Sequence, residues 1–362
     1  MDLTLSAEQR LLAEAARGFV VRSCPPERAR AMVADPIGLD AELWSTMAGL
    51  GWAGLPVPDA QGGGGGGILD LAVLCEALGR GPVPSPVLVS TTLAALPILW
   101  AGSESQRARW LPALAAGEAI GTMAIVEPGG RDEWDDSKLN GDGALTGTKL
   151  LVPWAASADV LVVTTSGGLR LVEPRSGQVA VERHDDLGAD PLFEVRLSAA
   201  AAEPLGSGAT EFQAGVVRRA IDHAAVIQLA YAVGCAERAL ELAVQHASDR
   251  HQFGQPIGSF QAVAHRCVDM LTDLDATRYL AYRAAWALDG SGDTDLEVAT
   301  ALAYGKDALR RIFVHAHQVH GAMGFSTEHD LHLFTRRAKS FELSYGAAAR
   351  HLDRVADHMG LA

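Results

Sequence analysis

Residues 250–261, RHQFGQPIGSFQ, set one arginine, two phenylalanines and several amides around a pair of glycines. Arg250 keeps its charge near neutral pH and can grip a phosphate through two parallel N–H bonds. Gly254 and Gly258 let the chain break between two helical runs, Pro256 stiffens the break, and Phe260 with Gln261 opens the next helix. This is the make-up of a corner that binds an anion and a base. A lone Gly-Pro loop would read as an ordinary connection. Here a second Gly-broken helix end, QVHGAMGFSTEHDLH at 318–332, stands beside it with Gln318 in front.

His315, His317, His320, His329 and His332 crowd the same region. On a helix, His317 and His320 share a face, as do His329 and His332. The carboxylates that would support a metal site are not evident, so no metal is assigned. Cys24, Cys75, Cys235 and Cys267 stand far apart without a CxxC pair and read as buried thiols.

Positioning such corners takes a large scaffold, and 362 residues with 48% hydrophobic content and a mean hydropathy of +0.11 supply one. A net charge of −14 and a pI near 5.3 argue against nucleic acid or acidic membrane surfaces as partners. No apolar run approaches the roughly 18 residues of a membrane span, and the N-terminus lacks a signal-type stretch. A cytoplasmic location is the expectation.

Along the chain the pattern is mainly α with a middle β domain. Residues 1–117 carry helical spacing, from LSAEQRLLAEAARGFV through ILDLAVLCEALGRG to QRARWLPALAAGEAIG. The run of glycines within DAQGGGGGG lacks the preceding strand and following basic residue of a phosphate loop, and reads as a flexible connector. Residues 118–205 alternate in short β-branched runs and predict a small antiparallel β domain. Residues 206–362 predict a four-helix bundle, with helices over 211–249, 260–288, 296–320 and 328–358.

The two corners and the three-part order together resemble the acyl-CoA dehydrogenase family over nearly the whole chain. GSESQRARWLPALAAGEAIGTMAIVEP resembles the stretch leading into that family's flavin loop, and LTGTKLLVP its next β segment. The resemblance implies an FAD-dependent oxidoreductase acting on an acyl-CoA or related acyl thioester, with electrons passing to an acceptor flavoprotein. It implies that Arg250 and Phe253 clamp the pyrophosphate and adenosine of FAD, that Gln261 serves the same arm, and that Gln318, Val319 and Gly321 meet the adenine end. In the family these residues reach an FAD seated mainly in a neighbouring subunit. Ala322 stands where a second glycine is usual.

Other positions depart from the family pattern. Ile125 and Val126 fall in the flavin loop, but Val126 replaces the threonine that precedes Glu127 and Pro128. Leu151 and Pro153 replace a Trp-x-Thr, and Trp154 would serve only after a shift in the strand. Tyr345 occupies the place of the catalytic glutamate, and the alternative position on the preceding helix falls at Ala224. Asp222 and Tyr345 remain weak candidates, and the base is unassigned. Glu342 reads as an ion-pair partner of Arg336 or Lys339. The chain thus resembles the catalytically depleted subunit of actinobacterial α2β2 heterotetramers, whose companion would supply the flavin cradle and base. A self-sufficient homo-oligomeric dehydrogenase and a scaffold that lost FAD are the alternatives.

Overall fold

The computed structural model describes residues 4–361 apart from 83, 130–136, 187, 189 and 209. The N-terminal helices are α1 (Ala7–Ser23), α2 (Pro26–Ala34), α3 (Ala41–Gly49), α4 (Ile68–Gly79), α5 (Val87–Ser90), α6 (Leu96–Ala101) and α7 (Glu104–Ala115). Both α1 and α7 start at capping boxes: Ser6 exchanges hydrogen bonds with Gln9, and Ser103 with Gln106, so two orphan N–H groups are satisfied at each start.

The glycine run at 62–67 is not a loose connector. Gly63 to Gly66 donate their N–H groups to the carbonyls of Pro58, Gly54, Val57 and Leu55 in turn. A Cβ on Gly63 would lie 2.0 Å from the Val57 carbonyl oxygen, so close backbone contact, rather than freedom, selects glycine there.

Seven strands follow: β1 (Gly121–Ala124), β2 (Leu145–Pro153), β3 (Val160–Thr165), β4 (Gly168–Val172), β5 (Val179–Arg183), β6 (Leu192–Ala200) and β7 (Glu203–Pro204). They form two sheets, ordered β1-β3-β4-β7 and β2-β6-β5. Pairing is antiparallel except between β1 and β3, which run parallel, a departure from the wholly antiparallel expectation. All of β3 is buried, which its unbroken Val-Leu-Val-Val run requires.

The C-terminal helices are α8 (Thr210–Asp249), α9 (Gln261–Trp286), α10 (Thr294–His320), α11 (Leu331–Leu343) and α12 (Ala348–His358). The expected last helix over 328–358 is therefore broken. Tyr345 and Gly346 take left-handed φ of 56° and 85° between α11 and α12. The buried Lys306 ammonium on α10 holds this break, donating to the carbonyls of Phe341, Glu342 and Ser344 at and just past the end of α11.

One apolar core runs from α1 and α4 into α8, α9 and α10, so the N-terminal helices and the bundle are packed as a unit. Helices α4 and α8 approach closely: a Cβ on Gly234 would meet the Glu76 carbonyl oxygen at 1.9 Å. Gly234→Ala should accordingly lower stability by about 1–3 kcal/mol despite the better helix propensity of alanine. Chemical denaturation checks this, and an unchanged or raised midpoint would contradict the packing.

Candidate functional site

A cleft of about 250 Å³ opens where the β domain meets α8 and the end of α11. Its β wall is formed by Ile125, Val126 and the end of β2. Val126 and Leu150 form a single bridge, with the Leu150 N–H donating to the Val126 carbonyl at 2.8 Å. The register of β2 then slips between Lys149 and Val152, and Leu151 turns out half-exposed with φ 53°. This slip carries Trp154 to the cleft, where it is buried with φ 59° and its N–H donates to the Pro191 carbonyl at 2.9 Å. One residue of β2 is thus left unmatched between Lys149 and Val152, ahead of Trp154. Pro153 also lines the cleft and brings no N–H donor.

The helical wall comes from Ile221, Gln228 and Tyr231 on α8 and from Arg337 and Ser340 on α11. The break after α11 adds Tyr345. Burial pushes the Tyr345 phenol well above its ordinary value, and the nearby Asp190 carboxylate pushes the same way, so it stays protonated and does not act as a base. Ala224 is fully buried. Asp222 does not line the cleft; it turns to Arg354 on α12, with oxygens 3.2 and 3.4 Å from the guanidinium nitrogens. Burial raises its carboxyl against the pull of Arg354.

Among the described residues two carboxylates line the cleft, Glu127 and Asp190, and both are committed. Glu127 accepts from the fully buried Lys149 ammonium at 2.6 Å and from the Ser137 hydroxyl at 2.5 Å. Burial works to raise its carboxyl, but these bonds prevail and hold it below the usual range. Asp190 accepts from Arg337 Nη1 at 3.1 Å, and the same nitrogen donates to the Tyr231 hydroxyl at 2.8 Å. Burial pushes the Asp190 carboxyl up against the stabilising charge of Arg337.

Sequence reasoning did not single out Asp190, Arg337 or Tyr231. Arg337 was legible as a charge on the apolar stripe of α11, between the buried Phe334 and Phe341. Asp190 lies in a loop and offered no periodic signal. Glu342 pairs with Lys339 at 2.9 Å, one of the two partners expected.

The two corners face outward, away from the cleft. Arg250 is exposed and forms no ion pair among the described residues. A short hairpin pairs His251–Gln252 with Gln255–Pro256, and Phe253 at its tip has φ 53° and is 92% exposed. Gln261 is exposed at the start of α9. Gln318 and Gly321 border a second hollow of about 390 Å³, whereas Val319 is buried in the core, leaving only its main chain available to a ligand. His246 stacks on His320 with centroids 4.9 Å apart, so the end of α8 and the end of α10 meet. Burial and mutual repulsion lower the affinity of His246, His317 and His329 for protons, and the rings pack on one another and on Phe325. Among the described residues no cluster of His, Cys, Asp or Glu could hold a metal ion, and no helix is long and apolar enough to cross a membrane.

Family models for the N-terminal and C-terminal domains of acyl-CoA dehydrogenase match residues 6–118 and 214–360. Acyl-CoA dehydrogenase IpdE2 of Mycobacterium tuberculosis is 34% identical over 338 residues, spanning 93% of this chain and 92% of its own length. A glutaryl-coenzyme A dehydrogenase in complex with glutaryl-CoA superposes with a TM-score of 0.91 at 28% identity, covering 100% of this chain and 98% of the other. A chain of the ChsE4-ChsE5 complex from Mycobacterium tuberculosis does so with a TM-score of 0.90 at 28% identity over 100% of both chains. With both domain models matched and the helical, β, helical order in place, this chain belongs to the acyl-CoA dehydrogenase family.

Proposed function

We propose that the chain is one subunit of an FAD-dependent acyl-CoA dehydrogenase in which a companion subunit supplies the base and most of the flavin cradle. The single observation that carries this reading is the contrast between its two faces. The carboxylates of the cleft are spent on Lys149 and Arg337, while Arg250, Phe253 and Gln318 stand outward, ready for a group held largely elsewhere. The likeness to a chain of the ChsE4-ChsE5 complex supports a mixed assembly.

The residues present fit the dinucleotide. An exposed arginine without an internal partner suits a pyrophosphate, the exposed Phe253 ring offers a surface for stacking, and Gln318 beside Gly321 offers an amide at an open backbone. Bound FAD supplies the acceptor for the hydride removed from the β-carbon of the thioester. Ile125, Val126 and Trp154 form an apolar wall that keeps water from an acyl chain in this cleft. Tyr345 and Asp222 do not serve as the base, the first because its phenol is held protonated and the second because it faces Arg354. The wider partners follow the family: an acyl-CoA or related thioester, and an acceptor flavoprotein.

Purification alone and with a family member that retains the threonine, tryptophan and glutamate tests this by the flavin absorption spectrum. Stoichiometric FAD and dehydrogenation are expected only for the pair. A lone chain that holds FAD and dehydrogenates would overturn the reading, and FAD absent from every combination would leave a scaffold. In the assembled enzyme, Arg250→Ala should weaken FAD retention by about 1.5–3 kcal/mol through loss of charge-assisted bonds. Unchanged affinity would remove Arg250 from the clamp.

A further inference from the structure

The Arg337 guanidinium is out of place in an acyl cleft. It sits on the apolar stripe of α11, its side chain is 3% exposed, and it lines the cavity. Nη1 is occupied by Asp190 and Tyr231, but Nη2 is buried without a hydrogen-bond partner among the described residues. Buried charged donors are rarely left without an acceptor, because desolvation is then uncompensated. Its two neighbours fix where it points: Asp190 and the Tyr231 hydroxyl hold the fork from one side, so the free nitrogen is preorganised rather than searching.

The cavity around it is built to match. Gln228 and Tyr231 share a face of α8, and Ser340 stands one turn after Arg337 on α11, so these polar residues gather on the helical wall. The β wall carries the apolar Ile125, Val126 and Trp154 together with the paired Glu127. Ile221, at the other end of the α8 lining, packs with Trp154 and Tyr345 in an apolar cluster. Ten residues of α8 separate Ile221 from Tyr231, roughly 15 Å at helical rise, which leaves room for a chain to run from the apolar end toward Arg337. Charge decides what it carries there. Arg337 is already matched by Asp190 and Lys149 by Glu127, so an anionic tail would add an uncompensated charge to a balanced site.

We infer that Arg337 Nη2 is a specificity contact for an acyl thioester whose chain bears an uncharged acceptor oxygen, a ketone or hydroxyl, and that plain alkyl and carboxyl-terminated chains are disfavoured. The inference rests on the proposed acyl-thioester cleft and deepens it. Asp190 and Tyr231 are positioning residues that act through Arg337.

Calorimetric titration of the full chain with octanoyl-CoA, 5-oxooctanoyl-CoA, 7-oxooctanoyl-CoA and octanedioyl-CoA tests it. At least one oxo thioester should bind about tenfold or more tighter than octanoyl-CoA, with octanedioyl-CoA no tighter than the plain chain. Arg337→Met alone strands Asp190, so the double variant Asp190→Asn with Arg337→Met is compared as well; it should lose the preference, the oxo and plain thioesters then binding alike. Equal affinities in the unaltered chain, tightest binding of the dicarboxylic thioester, or a preference that survives the double variant would each overturn the specificity contact while leaving the acyl cleft standing. Binding of none of these thioesters would overturn both.

Discussion

The site depends on a buried ammonium. Lys306, reaching from α10, gathers three carbonyls at the end of α11 and so allows the helix to stop before Ser344. Without that stop the apolar spacing would carry one helix through to α12, and Tyr345 and Gly346 would lose the left-handed turn that brings them to the cleft. A charge removed from water is tolerable here because its donors are spent on main-chain carbonyls. The geometry of this corner of the cleft is thus set by a residue on a different helix.

The same economy of charge runs through the cleft. Lys149 draws Glu127 into the β domain, and Arg337 holds Asp190 against the bundle. In each pair a buried cation is neutralised by a partly buried carboxylate, and each engages a carboxylate of the cleft. What remains accessible is hydrogen-bond donation and apolar surface. The outward hairpin is the opposite case: Phe253 accepts both a left-handed backbone and near-complete exposure, with an edge contact to the Phe260 ring, centroids 6.1 Å apart, as its packing return.

Much of this was legible in the sequence, for identifiable reasons. Helical spacing and short alternating runs marked the layer order, and Arg250, Phe253 and Gln318 stood at glycine breaks that only special backbone conformations explain. A use for Trp154 was legible as conditional on a shifted strand, and β2 leaves one residue unmatched ahead of it. Other features depend on contacts between distant segments. The glycine run is ordered by carbonyls from the preceding turn, the last helix is broken by Lys306, β1 and β3 pair in parallel across the β2 segment, and Asp190 meets Arg337 from far along the chain. None of these has a periodic or local signature.

The central claim is that this chain holds the cleft but, among its described residues, has no free base in it. The most direct measurement is exchange of the α-proton of an acyl-CoA in deuterated solvent, followed by mass spectrometry, with the lone chain supplied with FAD. No deuterium should enter the α-position until the companion subunit is added. Incorporation by the lone chain would contradict the account, since a carboxylate of this chain would then be free to take the proton.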